Sequence, residues 1–105
     1  MSAPDRYTGK PFLRLLDCYV MDAIGVLDPE DDEMLTAAEP KFRKMFGLPG
    51  SWREIVVARM NFPAGIQGAI KELWDKGRPR FVAANGFEPN PWDFTIQFID
   101  SKFPH

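Results

Sequence analysis

The stretch 11-PFLRLLDCYVMDAIGVL-27 is apolar on almost every side of a helical projection. Pro11 suits the first position of a helix, because its missing N–H would have no intrahelical partner there. A helix that is hydrophobic nearly all round has to be surrounded by other elements. We therefore predict a central helix over residues 11–27, ended by Asp28-Pro29, on which the rest of the chain packs.

Capping and breaking signals divide the middle of the chain into further helices. We expect a helix over residues 28–46, capped by Asp28, with a kink or short break at Pro40. Ser51 to Glu54 has the pattern of a capping box and predicts the start of the next helix. The run Ile55–Val57 is β-branched and is compatible with a short strand, but no other segment is a partner strand, so we favour a helix.

The last part of the chain also has helical periodicity. Residues 64–77 predict an amphipathic helix whose inner face includes Leu73 and Trp74, ending near Gly77. Pro79 starts one or two more turns, and a final helix opens at Asn90. The predicted fold class is therefore all-α, with five main helices and a short sixth in an orthogonal or irregular bundle. Residues 1–10 are expected to form a flexible N-terminal arm, and residues 11–105 a single helical domain.

Composition narrows the class of protein. A chain of 105 residues with 45% hydrophobic content fits one domain. The single cysteine, Cys18, excludes an intramolecular disulfide and favours a reducing compartment, so we expect a cytoplasmic protein. The first residues lack a basic segment followed by a long apolar run, and the central helix is too short and too charged to span a bilayer. We expect neither export nor a membrane partner.

The formal net charge of −2 hides an uneven distribution. Residues 1–40 carry nine acids against three bases, whereas residues 41–80 carry nine bases against three acids. Such asymmetry suits a polar partner or head-to-tail self-association. The candidate anion or partner site in the basic region is formed by Lys76, Arg78, Arg80 and Phe81. Binding of nucleic acid is disfavoured by the sequence pI of 5.3 and by the lack of a recognisable recognition helix.

Candidate catalytic residues are confined to the central helix. They are Arg14, Asp17, Tyr19 and Asp22. Arg14 and Asp17 are spaced to pair, but Asp17 and Asp22 point about 140° apart and cannot form a facing dyad. A single buried aspartate working with Tyr19 would make a small catalytic or ligand-binding site, which stays an alternative to a structural ion pair.

Other chemistries lack their residues. Cys18 has no evident base, because His105 at the C-terminus is the single histidine. Neither the ligand spacing of zinc and calcium sites nor a glycine-rich phosphate loop is present, so we predict no metal and no cofactor. We favour a protein without catalytic activity.

The aromatic content is high for such a small chain, with nine phenylalanines, three tryptophans and two tyrosines. The possible interface aromatics are Phe62, Phe87, Phe94 and Phe98. Either they cover the core, or they form a surface for a protein partner or a second copy. Our hypothesis is a non-catalytic cytoplasmic protein–protein interaction or regulatory module. The alternatives are a small enzyme or ligand-binding subunit that uses an acid of the central helix, and weak nucleic-acid or anion binding through residues 41–80.

Overall fold

A computed structural model describes Tyr7 and residues 9–103 of the chain. These residues form six helices: α1 Pro11–Ala23, α2 Pro29–Ala37, α3 Glu39–Phe46, α4 Trp52–Met60, α5 Ile66–Asn85 and α6 Pro91–Lys102. Over this part of the chain there is no strand, and Ile55–Val57 is helical, so the predicted all-α class is confirmed. Most of the predicted N-terminal arm, and His105, lie outside the described residues.

Helix α1 is the central element, as its composition predicts. It contacts α4, α5 and α6. Its buried side chains include Leu15 and Val20, neither of which has any solvent exposure. Ile55 of α4, Ile70 of α5 and Ile99 of α6 complete the core around it. Each of the three neighbouring helices therefore buries an apolar face against α1.

Helix α1 ends at Ala23 and not at the predicted Leu27. Gly25 has a positive φ of 81°, and its N–H donates to the carbonyl of Asp22. The next N–H, of Val26, donates to the carbonyl of Met21 at 3.0 Å. These two bonds form a Schellman motif, which satisfies the last carbonyls one turn earlier than the proline signal indicates.

The predicted break at Pro40 is present and separates α2 from α3. Pro40 lacks the N–H that would continue the helix, but it fits the first turn of a new one. The predicted caps are also confirmed. The carboxylate of Asp28 accepts from the N–H of Glu30 at 2.9 Å, and Ser51 and Glu54 form both bonds of the capping box.

The prediction that the helix of residues 64–77 ends before Pro79 is wrong. Helix α5 continues through Pro79 to Asn85. The proline removes one hydrogen bond to the carbonyl of Asp75, but Asp75 is exposed and water can replace the missing donor. From residue 75 to Asn85 every residue is exposed except the half-buried Phe81 and Val82. This second half of α5 is hereafter the α5 tip.

Candidate functional site

The two aspartates of α1 face different partners, as their spacing predicts. Asp17 has no solvent exposure, and its carboxylate accepts a hydrogen bond from the hydroxyl of Tyr7 at 2.8 Å. Asp22 accepts from Arg53 Nε at 2.9 Å and from Gln67 Nε2 at 3.2 Å. Because each carboxylate is held by groups from another segment, they do not converge on a common substrate position.

Arg53 is the centre of an ion cluster that joins four helices. Besides Asp22 of α1, its guanidinium pairs with Asp32 of α2 at 3.1 Å and lies over the ring of Trp52, 4.5 Å from the centroid. Gln67 brings in α5. The hydrogen bond from Arg53 holds the pKa of the Asp32 carboxyl below its usual value, and the bond to Asp22 raises the pKa of Arg53. This arrangement stabilises charged forms, as in a structural ion pair.

The other side chains of α1 that could take part in a reaction are also engaged by packing or hydrogen bonds. Burial raises the pKa of the Cys18 thiol to about 12, with Asp31 adding to the effect, so the nucleophilic thiolate is rare at neutral pH. Tyr19 stacks on Phe62 at 5.6 Å, and burial raises its pKa. The guanidinium of Arg14 donates to the sulfur of Met34 at 3.8 Å, so the spacing that would let it pair with Asp17 is not used.

One cavity lies beside these residues and tests whether an aspartate of α1 faces a pocket. It has a volume of about 440 Å³, and Tyr19, Arg53 and Gln67 line it. Neither Asp17 nor Asp22 is among its described lining residues. In the predicted catalytic or ligand-binding site, Tyr19 therefore lines a cavity but neither aspartate of α1 does.

Within the described residues, no group of three or more histidine, cysteine, aspartate or glutamate side chains is placed to hold a metal ion. In the same part of the chain, no helix combines the length and the apolar composition that crossing a bilayer requires.

Two of the three basic residues proposed as an anion or partner site have acidic partners. Lys76 pairs with Glu72 one turn earlier on α5 and lowers the pKa of that carboxyl. Arg78 pairs with Glu88, beyond the turn that follows α5. Arg80 has no ion pair with any described residue. Two of the three cations are thus compensated within the chain.

Arg78 and Phe81 instead line an open groove between α5 and the start of α6, hereafter the α5–α6 groove. Its volume is about 660 Å³. The apolar lining comes from Leu73, Trp74, Phe81, Phe87, Phe94 and Ile96. Leu73 is 51% exposed and Phe87 is 61% exposed. Leu73 therefore lies outside the core that its helical periodicity predicts, because no other described element covers this part of α5.

The four predicted interface aromatics divide into two pairs. Phe87 and Phe94 line the α5–α6 groove, where Phe94 also packs edge-on against Trp74 at 5.1 Å. Phe62 and Phe98 instead pack against the core, and both contact Phe103, at 5.5 and 5.9 Å. Phe94 packs against the core as well, so of the four side chains only Phe87 is exposed, and a role in an interface stays a prediction.

A further cavity lies apart from every site that the sequence predicts. It lies where the start of α1 meets the ends of α3, α4 and α6, and its volume is about 570 Å³. Arg59 lines it together with Phe12 and Phe46. The sequence contains no local signal for this cavity, because the three side chains come from three helices that only the tertiary fold brings together.

No protein-family model matches the chain, and comparison with curated proteins and with solved structures likewise finds no match. Its function therefore has to be inferred from the geometry of these surfaces. The α5–α6 groove has a larger volume than the cavity beside Arg59, and two exposed large apolar side chains, Leu73 and Phe87, line it.

Proposed function

We propose that the protein is a non-catalytic interaction module that binds an amphipathic helix of a partner protein in the α5–α6 groove. The observation that carries this proposal is the exposure of Leu73 and Phe87, at 51% and 61%, on the walls of one groove. Covering large apolar side chains releases about 25 cal/mol for each Å² removed from water. A groove with two such side chains is a favourable place for an apolar partner.

A helical partner fits this groove better than an extended peptide. The described residues contain no strand, so no sheet edge is available for a peptide to extend. The groove instead lies between two helices and has an apolar floor. An amphipathic helix would place apolar residues at positions i, i+3, i+4 and i+7 along such a floor.

Charge at the groove further defines the partner. Arg78 and Glu88 neutralise each other at one side. Asp93 on α6 also lines the groove and forms no ion pair with another described residue. A partner helix with a base toward α6 would complement this charge.

The alternative functions have less support. A catalytic role would need a carboxylate from α1, but Asp22 is engaged by Arg53 and Asp17 lines none of the three cavities. Nucleic-acid binding would need several uncompensated cations on one face, and Lys76 and Arg78 are already paired. The buried free cysteine is compatible with a reducing compartment, so a cytoplasmic location remains part of the proposal.

Selection of peptides on the full chain tests the proposal. A phage-displayed library of random peptides is selected on the immobilised protein, and the affinities of enriched peptides are measured by fluorescence polarisation. We expect apolar residues at helical spacing, and a loss of affinity of about tenfold for Leu73→Ser or Phe87→Ser. Met45→Ser is the matched control, because Met45 is 45% exposed on α3 and does not line the groove.

Three results would overturn the proposal. The first is that no peptide is enriched, and the second is that the Leu73 and Phe87 variants bind the peptides as well as Met45→Ser does. The third comes from sedimentation velocity across a range of protein concentrations. Self-association that Leu73→Ser abolishes would show that the groove is occupied by a second copy of this chain.

A further inference from the structure

The cavity at the start of α1, hereafter the Arg59 pocket, combines an apolar wall with positive charge. Its volume of about 570 Å³ lies within the usual range for small-molecule sites. Phe12, Leu16, Phe46, Met60 and Phe103 supply most of the wall. Arg59 and Lys10 are its charged residues, and no carboxylate belongs to the described lining.

Two aromatic rings hold the guanidinium of Arg59. Its guanidinium carbon lies 4.9 Å from the centroid of the Phe12 ring and 5.1 Å from that of Phe46. The two rings pack edge to face on each other at 5.4 Å. Cation–π contact with two rings at once restricts where the guanidinium can lie. The guanidinium is therefore held by the two rings at the wall of the pocket.

Arg59 also differs in its partners from three of the other arginines. Arg43, Arg53 and Arg78 each pair with a carboxylate. Among the described residues, Arg59 forms neither an ion pair nor a hydrogen bond. A fixed fork of donors at the wall of an apolar cavity is suited to a carboxylate, which can accept two parallel N–H bonds from it.

The start of α1 adds to the positive potential of the pocket. No acidic residue lies in the first turn of this helix, and no side chain of the described residues caps it. The N-terminal end of a helix carries a partial positive charge, and here Lys10 precedes it. Arg59 and this helix end therefore face a cavity whose described lining contains no carboxylate.

We infer that the Arg59 pocket binds a monocarboxylic acid with an apolar body, the carboxylate on Arg59 and the body against Phe12, Leu16 and Met60. A neutral apolar ligand would leave the donors of Arg59 unused, and a strongly polar anion would gain nothing from the wall. The body is either an alkyl chain or an aromatic ring. This site is separate from the α5–α6 groove, with which it shares no lining residue.

Calorimetric and NMR titrations of the full chain test this inference. The probes are decanoate and 4-phenylbutyrate, which present an alkyl and an aromatic body, and decanamide, which keeps the alkyl body without the charge. We expect decanoate or phenylbutyrate to bind and to shift the amide signals of Phe12, Phe46 and Arg59. Decanamide should bind at least about tenfold more weakly than decanoate, because it lacks the charge-assisted bonds.

Variants separate this site from the groove. Arg59→Gln should weaken binding of the carboxylate about tenfold or more, and Arg59→Lys should weaken it less because the charge remains. Arg80→Gln is the matched control, since Arg80 has no ion pair with a described residue and does not line the pocket. Phe87→Ser should leave carboxylate binding unchanged, so failure of the proposed helix partner would not affect this result.

Several outcomes would overturn the inference. Equal affinity for decanoate and decanamide in the wild-type protein would remove the role of charge, and this comparison does not depend on any variant folding. Equal affinity of Arg59→Gln and Arg80→Gln would remove Arg59. Shifts confined to the α5–α6 groove would place the ligand elsewhere. If the pocket binds phenylbutyrate more tightly than decanoate, its ligand has an aromatic body. The reverse preference indicates an alkyl body.

Discussion

The same kinds of side chain stabilise one region of this molecule and remain accessible in another. Trp52, beside the Arg53 cluster, has no exposure; its backbone N–H donates to Glu39 and its indole N–H to Asp32. Phe87, beside the α5 tip, is 61% exposed and makes an edge contact with Phe81. Aromatic content alone therefore does not separate core from interface. What separates them is whether neighbouring helices cover the ring and satisfy its polar atoms.

This contrast extends to the charged residues. Arg53 joins acids from two other helices, so its interactions depend on the tertiary fold. Lys76 and Arg78 pair with acids on the same helix or just beyond it. Because exposed local pairs add little to stability, substitutions near the α5 tip should affect binding more than folding.

Removing Trp52 should have the largest effect on stability. Trp52→Ala leaves a cavity among α1, α2 and α4 and deprives Asp32 of a donor. We expect a loss of about 3–5 kcal/mol in the free energy of unfolding, measured by urea denaturation at neutral pH. A loss below about 1 kcal/mol would mean that this region is no better packed than the α5 tip.

Removing Arg53 should have the next largest effect. Arg53→Gln leaves Asp22 and Asp32 without their shared cation. The side chains are about a third exposed, so we expect a loss of only about 1–2 kcal/mol at low salt. The difference from wild type should decrease as the salt concentration rises in the same urea experiment. A loss that salt does not alter would point to packing of the arginine stem on Trp52 instead.

The Arg53 cluster also predicts the sign of a pH dependence. The pKa of Asp32 is lowered in the folded protein, chiefly by its hydrogen bond from Arg53, relative to the ordinary value of 3.8. Its contribution is therefore fully present above the unfolded pKa and is lost as the pH falls through the lower folded pKa. The stability difference between wild type and Arg53→Gln should stay constant from about pH 7 to 5 and shrink below about pH 4. A difference that grows on acidification would contradict this assignment.

Pro79→Ala should change local order more than global stability. The substitution restores a donor for the carbonyl of Asp75, and proline costs a helix interior about 3 kcal/mol relative to alanine. Because the α5 tip makes few contacts with the core, we expect slower hydrogen exchange of the amides from Phe81 to Asn85, with less than about 1 kcal/mol gained in urea unfolding. A global gain near 3 kcal/mol would show that the tip unfolds together with the core.

The sequence predicts well those features that depend on neighbouring residues in the chain. The caps at Asp28, Ser51 and Asn90 are present because each needs only a side chain and an N–H two or three residues away. The central position of α1 follows from its apolar surface. The early end of α1 also has a local signal, Gly25. The prediction instead ends the helix at Asp28-Pro29, whereas the helix ends at Ala23.

Features that depend on what covers a surface are not predictable in the same way. Helical periodicity indicates the apolar face of α5, but it does not predict that the other helices leave Leu73 exposed. The rule that proline ends a helix fails at Pro79, since an exposed carbonyl can bond to water. Arg59 gains its position from rings on two other helices, so the sequence places it simply among the basic residues of the middle region.

Phe87→Ser should have the smallest effect on stability, and it decides how the two regions are to be understood. The side chain is 61% exposed and follows the end of α5, so its replacement removes little buried surface. We expect a change below about 0.5 kcal/mol in urea unfolding. Together with a large loss of peptide affinity, this result would separate binding from folding at one residue. If the same variant instead loses about 2 kcal/mol or more in the free energy of unfolding, Phe87 belongs to a packed unit with Phe81. The apolar side chains of the groove would then stabilise the fold and would not form a binding surface for a partner.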